Sequence, residues 1–137
     1  MKKIILLTIA SLILKTSISV SQEVKNMDSL ISENAAVISS IIEDGVDLSV
    51  PYNVEFVAVF PTAEDAEKVA LMYVADSELG EDFINIETTP REDEGMELIL
   101  IKSMIVTPQN VSEFESRLIE RAKMHGGAAD GWGMLSD

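Results

Sequence analysis

"PYNVEFVAVFPTAEDAEKVALMYVADSELG", residues 51–80, changes character once, and that change decides the fold. Tyr52 to Phe60 follows Pro51, is short, and is rich in β-branched and aromatic side chains, so it reads as a strand. From Thr62 onward the period is helical. Ala66, Val69, Ala70 and Tyr73 fall on one face. Thr62 is a natural N-cap, and Asp65 three residues on stands in for the acid of a capping box. Gly80 follows the end of this helix.

Downstream the order repeats with one extra strand. "FINIET", Phe83 to Thr88, is a short strand with Ile84 and Ile86 on one side. "PREDEG", Pro90 to Gly95, is a charged turn, and "MELILIKSMIV", Met96 to Val106, is a long strand. A helix follows from Thr107, with Pro108 at its first position, where a missing N–H costs nothing. Val111, Phe114, Leu118 and Ala122 form its stripe, and Gly126 and Gly127 stop it. Ala128 to Leu135 forms a last strand. The order β-α-β-β-α-β is the ferredoxin-like split unit, an α+β fold.

That unit places its first and third strands in the middle of the sheet. Both carry apolar residues on both sides: Phe56 and Ala58 against Val57 and Val59, Leu98 and Leu100 against Ile99 and Ile101. Two helices cover only one face. The other requires an additional N-terminal amphipathic helix, a second subunit or a partner to cover it. Such a helix is present. Met27, Leu30, Ile31, Ala35, Ile38, Ile41 and Ile42 recur at helical spacing, with Asn26 as cap and Gly45 as stop.

Residues 1–21 read as a signal peptide. Lys2 and Lys3 precede an apolar run from Ile4 to Leu14, too short to span a bilayer and of the length of a signal core. Ser19 and Ser21 are spaced for a cut before Gln22, which leaves residues 22–137 as the domain. The alternatives are an uncleaved membrane anchor, a simple N-terminal helix and a wrongly chosen start codon. Cleavage predicts a periplasmic or secreted product, away from the membrane, with an envelope protein as its partner; the alternative is a cytoplasmic product.

Charge narrows the partners. The net charge is −14, and loss of Lys2, Lys3 and Lys15 lowers it to −17. Phosphate backbones are held by clustered Lys and Arg, so direct nucleic-acid binding is not expected. A basic protein partner suits the charge, and a homo-oligomer is compatible with it. Cysteine is absent, and the single histidine, His125, sits in a last helical turn where its charged form suits the helix dipole. No phosphate loop and no G-x-S-x-G elbow occur. Glu92, Asp93 and Glu94 read as a solvated turn, without the alternating spacing of a calcium loop. Together these readings predict a non-enzymatic binding module with no catalytic residues, metal or cofactor; a carboxylate enzyme is the remote alternative.

Glu43, Asp44 and Gly45 end the N-terminal helix with negative charge where the dipole disfavours it, which marks a candidate contact site. "HGGAADGWGMLSD", His125 to Asp137, holds the only tryptophan, Trp132. Asp130–Gly131 suits a tight turn or bulge. Trp132 then either packs the end of the core or anchors a partner. The run Gly126, Gly127, Asp130, Gly131, Trp132, Gly133 resembles the end of the ribonuclease E inhibitor family, RraB. "SSIIEDGVDLSVPYNVEFVAVFPTAEDAEKVA", residues 39–70, resembles its start. The resemblance spans about residues 28–135. It implies a regulator that binds the endoribonuclease as a protein partner, with Asp130 to Gly133 and Glu43 to Gly45 as motif residues.

Overall fold

Side-chain caps start all three helices in the computed structural model, which describes residues 3–7 and 26–136. Helix α1 (Met27–Glu43) begins at Asn26, α2 (Ala63–Glu78) at Thr62 and α3 (Pro108–Met124) at Thr107. Each cap oxygen accepts from the backbone N–H three residues on, at Ser29, Asp65 and Asn110. The ends are also alike. Gly45, Gly80 and Gly126 take positive φ, and the next residue donates back to Ile41, Asp76 and Ala122 in turn. This is the Schellman closure, in which glycine takes the left-handed position without a Cβ penalty.

Strands β1 (Lys3–Leu7), β2 (Tyr52–Phe60), β3 (Asn85–Pro90), β4 (Met96–Met104) and β5 (Ala128–Ser136) form one sheet in the order β1-β5-β2-β4-β3. All neighbours are antiparallel. The run β5-β2-β4-β3 is the ferredoxin-like arrangement, with β2 and β4 central, as the sequence predicts. β1 adds at the outer edge of β5. Of the proposed signal peptide, only Lys3–Leu7 falls among the described residues; the cleavage region at Ser19 to Gln22 lies outside them.

The core sits on one face. Val54, Phe56, Ala58 and Phe60 of β2 and Leu98 and Leu100 of β4 are buried against Ala66, Val69 and Tyr73 of α2 and the Val111–Phe114–Leu118–Ala122 stripe of α3. Helix α1 joins the same side, burying Leu30, Ile38 and Ile41 next to α3. It therefore does not cover the opposite sheet face, one of the three covers the sequence allows. Its stripe is already engaged by α3 and β5.

Several strand boundaries differ from the sequence reading. β3 starts at Asn85 instead of Phe83, because the Phe83 ring turns inward to Tyr73 and Phe114 at 5.8 and 6.1 Å. Ile84 is left exposed while Ile86 packs on the core. The strand then runs on to Pro90, which an edge strand tolerates at its end. β4 stops at Met104, and Val106 is buried in the turn into α3.

Candidate functional site

Asp130 is an inserted residue. β5 pairs Ala129 with Ala58 and Gly131 with Val57, so one step on β2 matches two on β5. Gly131 has a φ of 117°, a conformation that side chains resist. Strand side chains alternate faces, so one extra residue reverses everything after it. Ala129 faces the helices, and without the bulge Trp132 would face away. With it, Trp132 lies opposite Phe56, on the helix side, and is 3% exposed.

A buried polar chain receives the indole. Trp132 Nε1 donates to Asn34 Oδ1 at 2.9 Å. Asn34 Nδ2 in turn donates to Ser112 Oγ and to Glu115 Oε1, both at 2.9 Å. Asn34, Ser112 and Glu115 are buried. Burying polar groups is costly unless they are satisfied, and this set lets α1, α3 and β5 lock in one register. The sequence reading did not single out these three residues. A signal existed: Asn34 lies between Leu30 and Ile38 on the α1 stripe, where an amide requires a partner.

The paired glycines have separate tasks. Gly126 closes α3. Gly127 leaves room: a Cβ there would lie 2.4 Å from Phe60 Cδ2 and 2.6 Å from the Val59 carbonyl oxygen. Gly127→Ala is expected to destabilise the domain by about 1–3 kcal/mol through overpacking. Urea unfolding measures it, and a loss near zero would show that Phe60 moves aside freely.

Of the other motif residues, Glu43, Asp44 and Gly45 are exposed at the end of α1. Asp44 is the C-cap and Gly45 the left-handed residue after it. They stand about 14 Å along the helix from Asn34, at 1.5 Å per residue. The two motif groups share one helix but do not form one pocket. Gly133 faces the opposite side from Trp132, against Glu55. The structure thus makes Trp132 part of the core and leaves no exposed indole to serve as a partner's anchor. His125 is the C-cap of α3.

A family match completes this picture. The model of RraB, regulator of ribonuclease activity B, matches residues 31–134, nearly all of α1 through the Trp132 strand. The chain belongs to the RraB family. No curated protein matches it. In this RraB domain the glycine-rich ending is a device that turns β5 and seats the tryptophan on α1.

A charged cluster supports the other end of the RraB sheet. Arg117 on α3 grips Glu81 with both nitrogens, at 2.9 and 2.7 Å, and Lys102 on β4 reaches the same carboxylate at 3.0 Å. Arg121 pairs with Asp76 at 2.7 Å. The Arg117 hydrogen bonds, helped by Lys102, hold the Glu81 carboxyl down at about 2, against an ordinary 4.5. A folded-state value below the unfolded one stabilises the fold above pH 4.5 and loses that contribution as pH falls toward 2. For this partly exposed group the contribution is about 1–2 kcal/mol after screening. Glu81→Gln should therefore flatten the acid limb between pH 4.5 and 2 in a urea titration. An unchanged limb would show that Glu81 titrates normally.

Among the described residues no group of three His, Asp or Glu side chains is placed to hold a metal. No described helix is long and apolar enough to cross a membrane.

Proposed function

We propose that this chain regulates ribonuclease activity by binding a protein partner, without catalysis of its own, and that ribonuclease E is the first partner to test. The observation that carries this reading is the RraB match over residues 31–134, which takes in the domain from α1 to β5. The charge of −14 supports a basic, RNA-handling protein as partner and disfavours competition for the RNA itself.

The test is capture of purified ribonuclease E by the purified domain, with RNA cleavage followed in parallel. Saturable binding with altered cleavage is the expected result. The absence of saturable binding, or cleavage that changes without binding, would overturn it.

A second reading concerns compartment. Lys2, Lys3, the apolar run Ile4 to Leu14 and the serines at 19 and 21 favour export, and an exported domain would act on an envelope protein. A cut before Gln22 would remove β1 and expose β5 as the sheet edge, while leaving every element of the RraB match in place. Fractionation of the host, with the N-terminus read by mass spectrometry, separates the two. A product starting near Gln22 in the periplasm excludes ribonuclease E; an intact cytosolic chain excludes export.

A further inference from the structure

The sheet face opposite the helices is apolar at its centre and acidic around it. Val57 and Val59 of β2 and Ile99 and Ile101 of β4 point to it, as partners in the ladder show. All four are partly exposed, and none belongs to the core or to the residues packed on it. No described element covers them. Three carboxylates share the face. Glu55 lies beside Ile101, Glu97 beside Val59, and Glu87 beside Ile99. Alternation places no Lys or Arg of β2, β3 or β4 on this side. Burial raises the Glu55 carboxyl above its ordinary value, and repulsion from Glu97 and Glu87 adds to it. In the free domain these charges therefore lack a counter-charge from the strands around them. On β5 the column runs Gly131, Gly133 and Leu135: the two glycines lack side chains and leave a shallow floor beside Val57 and Glu55, while Leu135 beside Asn53 is buried.

From this we infer that the open sheet face docks an amphipathic helix of a partner protein, with apolar side chains over Val57, Val59, Ile99 and Ile101 and Lys or Arg side chains over Glu55, Glu87 and Glu97. The inference rests on the protein-binding reading above and gives it a surface. Dimensions agree. Four strands at about 4.8 Å spacing make a floor about 14 Å wide, and a helix with its side chains is about 10–12 Å across. A second copy of this chain is the wrong occupant. Face-to-face packing would bring two sets of three carboxylates together with no cation from the strands.

The probe is an amphipathic helical peptide of leucine and lysine, titrated into the full chain while backbone amide shifts are followed. Shifts are expected on β2 and β4 around Glu55, Val57, Ile99 and Ile101, and not on α1 to α3. A leucine–glutamate peptide should not bind. Glu55→Lys/Glu97→Lys should weaken binding by about tenfold or more. Glu67→Lys/Glu78→Lys changes the net charge equally on exposed α2 positions and should not. Glu55→Gln/Glu97→Gln keeps the side-chain shape and covers the case in which the lysine pair misfolds. Shifts that map to the helices, or equal loss from both lysine pairs, would overturn the inference. So would a dimer that Ile99→Lys dissociates, because the second copy would then be the cover. The same variants in the ribonuclease E capture assay separate the two readings. Capture that survives the sheet-face variants refutes the docking face and keeps the partner. Peptide binding at the face without ribonuclease E capture refutes the partner and keeps the face.

Discussion

Trp132→Ala is expected to lower the unfolding free energy by about 3–5 kcal/mol, the range for truncating a buried large aromatic. Two losses combine. The indole is 3% exposed and packs in the core opposite Phe56, so its removal leaves a cavity. It also removes the donor to Asn34 Oδ1, which then stays buried and unsatisfied. Trp132→Phe separates these: it keeps much of the volume, loses only the N–H, and should cost about 1–2 kcal/mol. Asn34→Leu in the Trp132→Phe background tests coupling, because the two sites share one hydrogen bond and their costs should not add. Urea unfolding gives the energies. Trp132 is the only tryptophan, so the folded protein should show blue-shifted emission and resist iodide quenching. Red, readily quenched emission in a folded sample would place the indole at the surface and restore it as a partner's anchor. In a domain stabilised by about 5–15 kcal/mol, the alanine variant is severe enough to lower soluble yield. Loss of ribonuclease E capture by that variant would therefore be a folding effect and no proof of contact.

Phe114→Ala carries the second large effect, again about 3–5 kcal/mol. Its ring lies 4.3 Å from Phe56, 5.8 Å from Tyr73 and 6.1 Å from Phe83, centre to centre. The Arg117 guanidinium sits 4.9 Å above it. Each aromatic pair adds about 0.5–1.5 kcal/mol beyond burial. The ring thus joins α3 to the sheet and holds the base of the side chain that grips Glu81. Phe114→Leu keeps the apolar contact and should cost distinctly less. The acid limb gives an independent readout: if Arg117 loses its support, the pH 4.5 to 2 dependence set by Glu81 should weaken in Phe114→Ala. A cost below about 1.5 kcal/mol would show that the neighbouring rings close over the gap.

How much of this is legible depends on how far apart the interacting residues lie in the chain. Helix starts are local. Asn26 with Ser29, Thr62 with Asp65 and Thr107 with Asn110 are each three residues apart, so the caps can be read directly. The stops are local as well, since a glycine and the preceding turn suffice. Strand existence follows from the β-branched runs, but the start of β3 does not. Phe83 leaves the strand for a ring cluster built from Tyr73 and Phe114, ten and thirty-one positions away.

Apart from β1, which falls in the segment that reads as a signal peptide, the amino-acid sequence by itself determined the elements, their β-α-β-β-α-β order, the central place of β2 and β4 and the acidic net charge. Each rests on periodicity, capping or composition, which act within a few residues. Tertiary structure alone decided where α1 packs, where Trp132 points and which sheet face the described helices leave uncovered. Asn34 meets its partners 78, 81 and 98 positions away. The direction of Trp132 turns on a single bulged residue, Asp130, whose effect appears only when β5 is registered against β2. Once α1 is held on the helix side by that network, the Val57–Ile99 face is left without a cover from α1. Periodicity can show that such a face is apolar; only long-range packing shows that α1 to α3 lie on the other one.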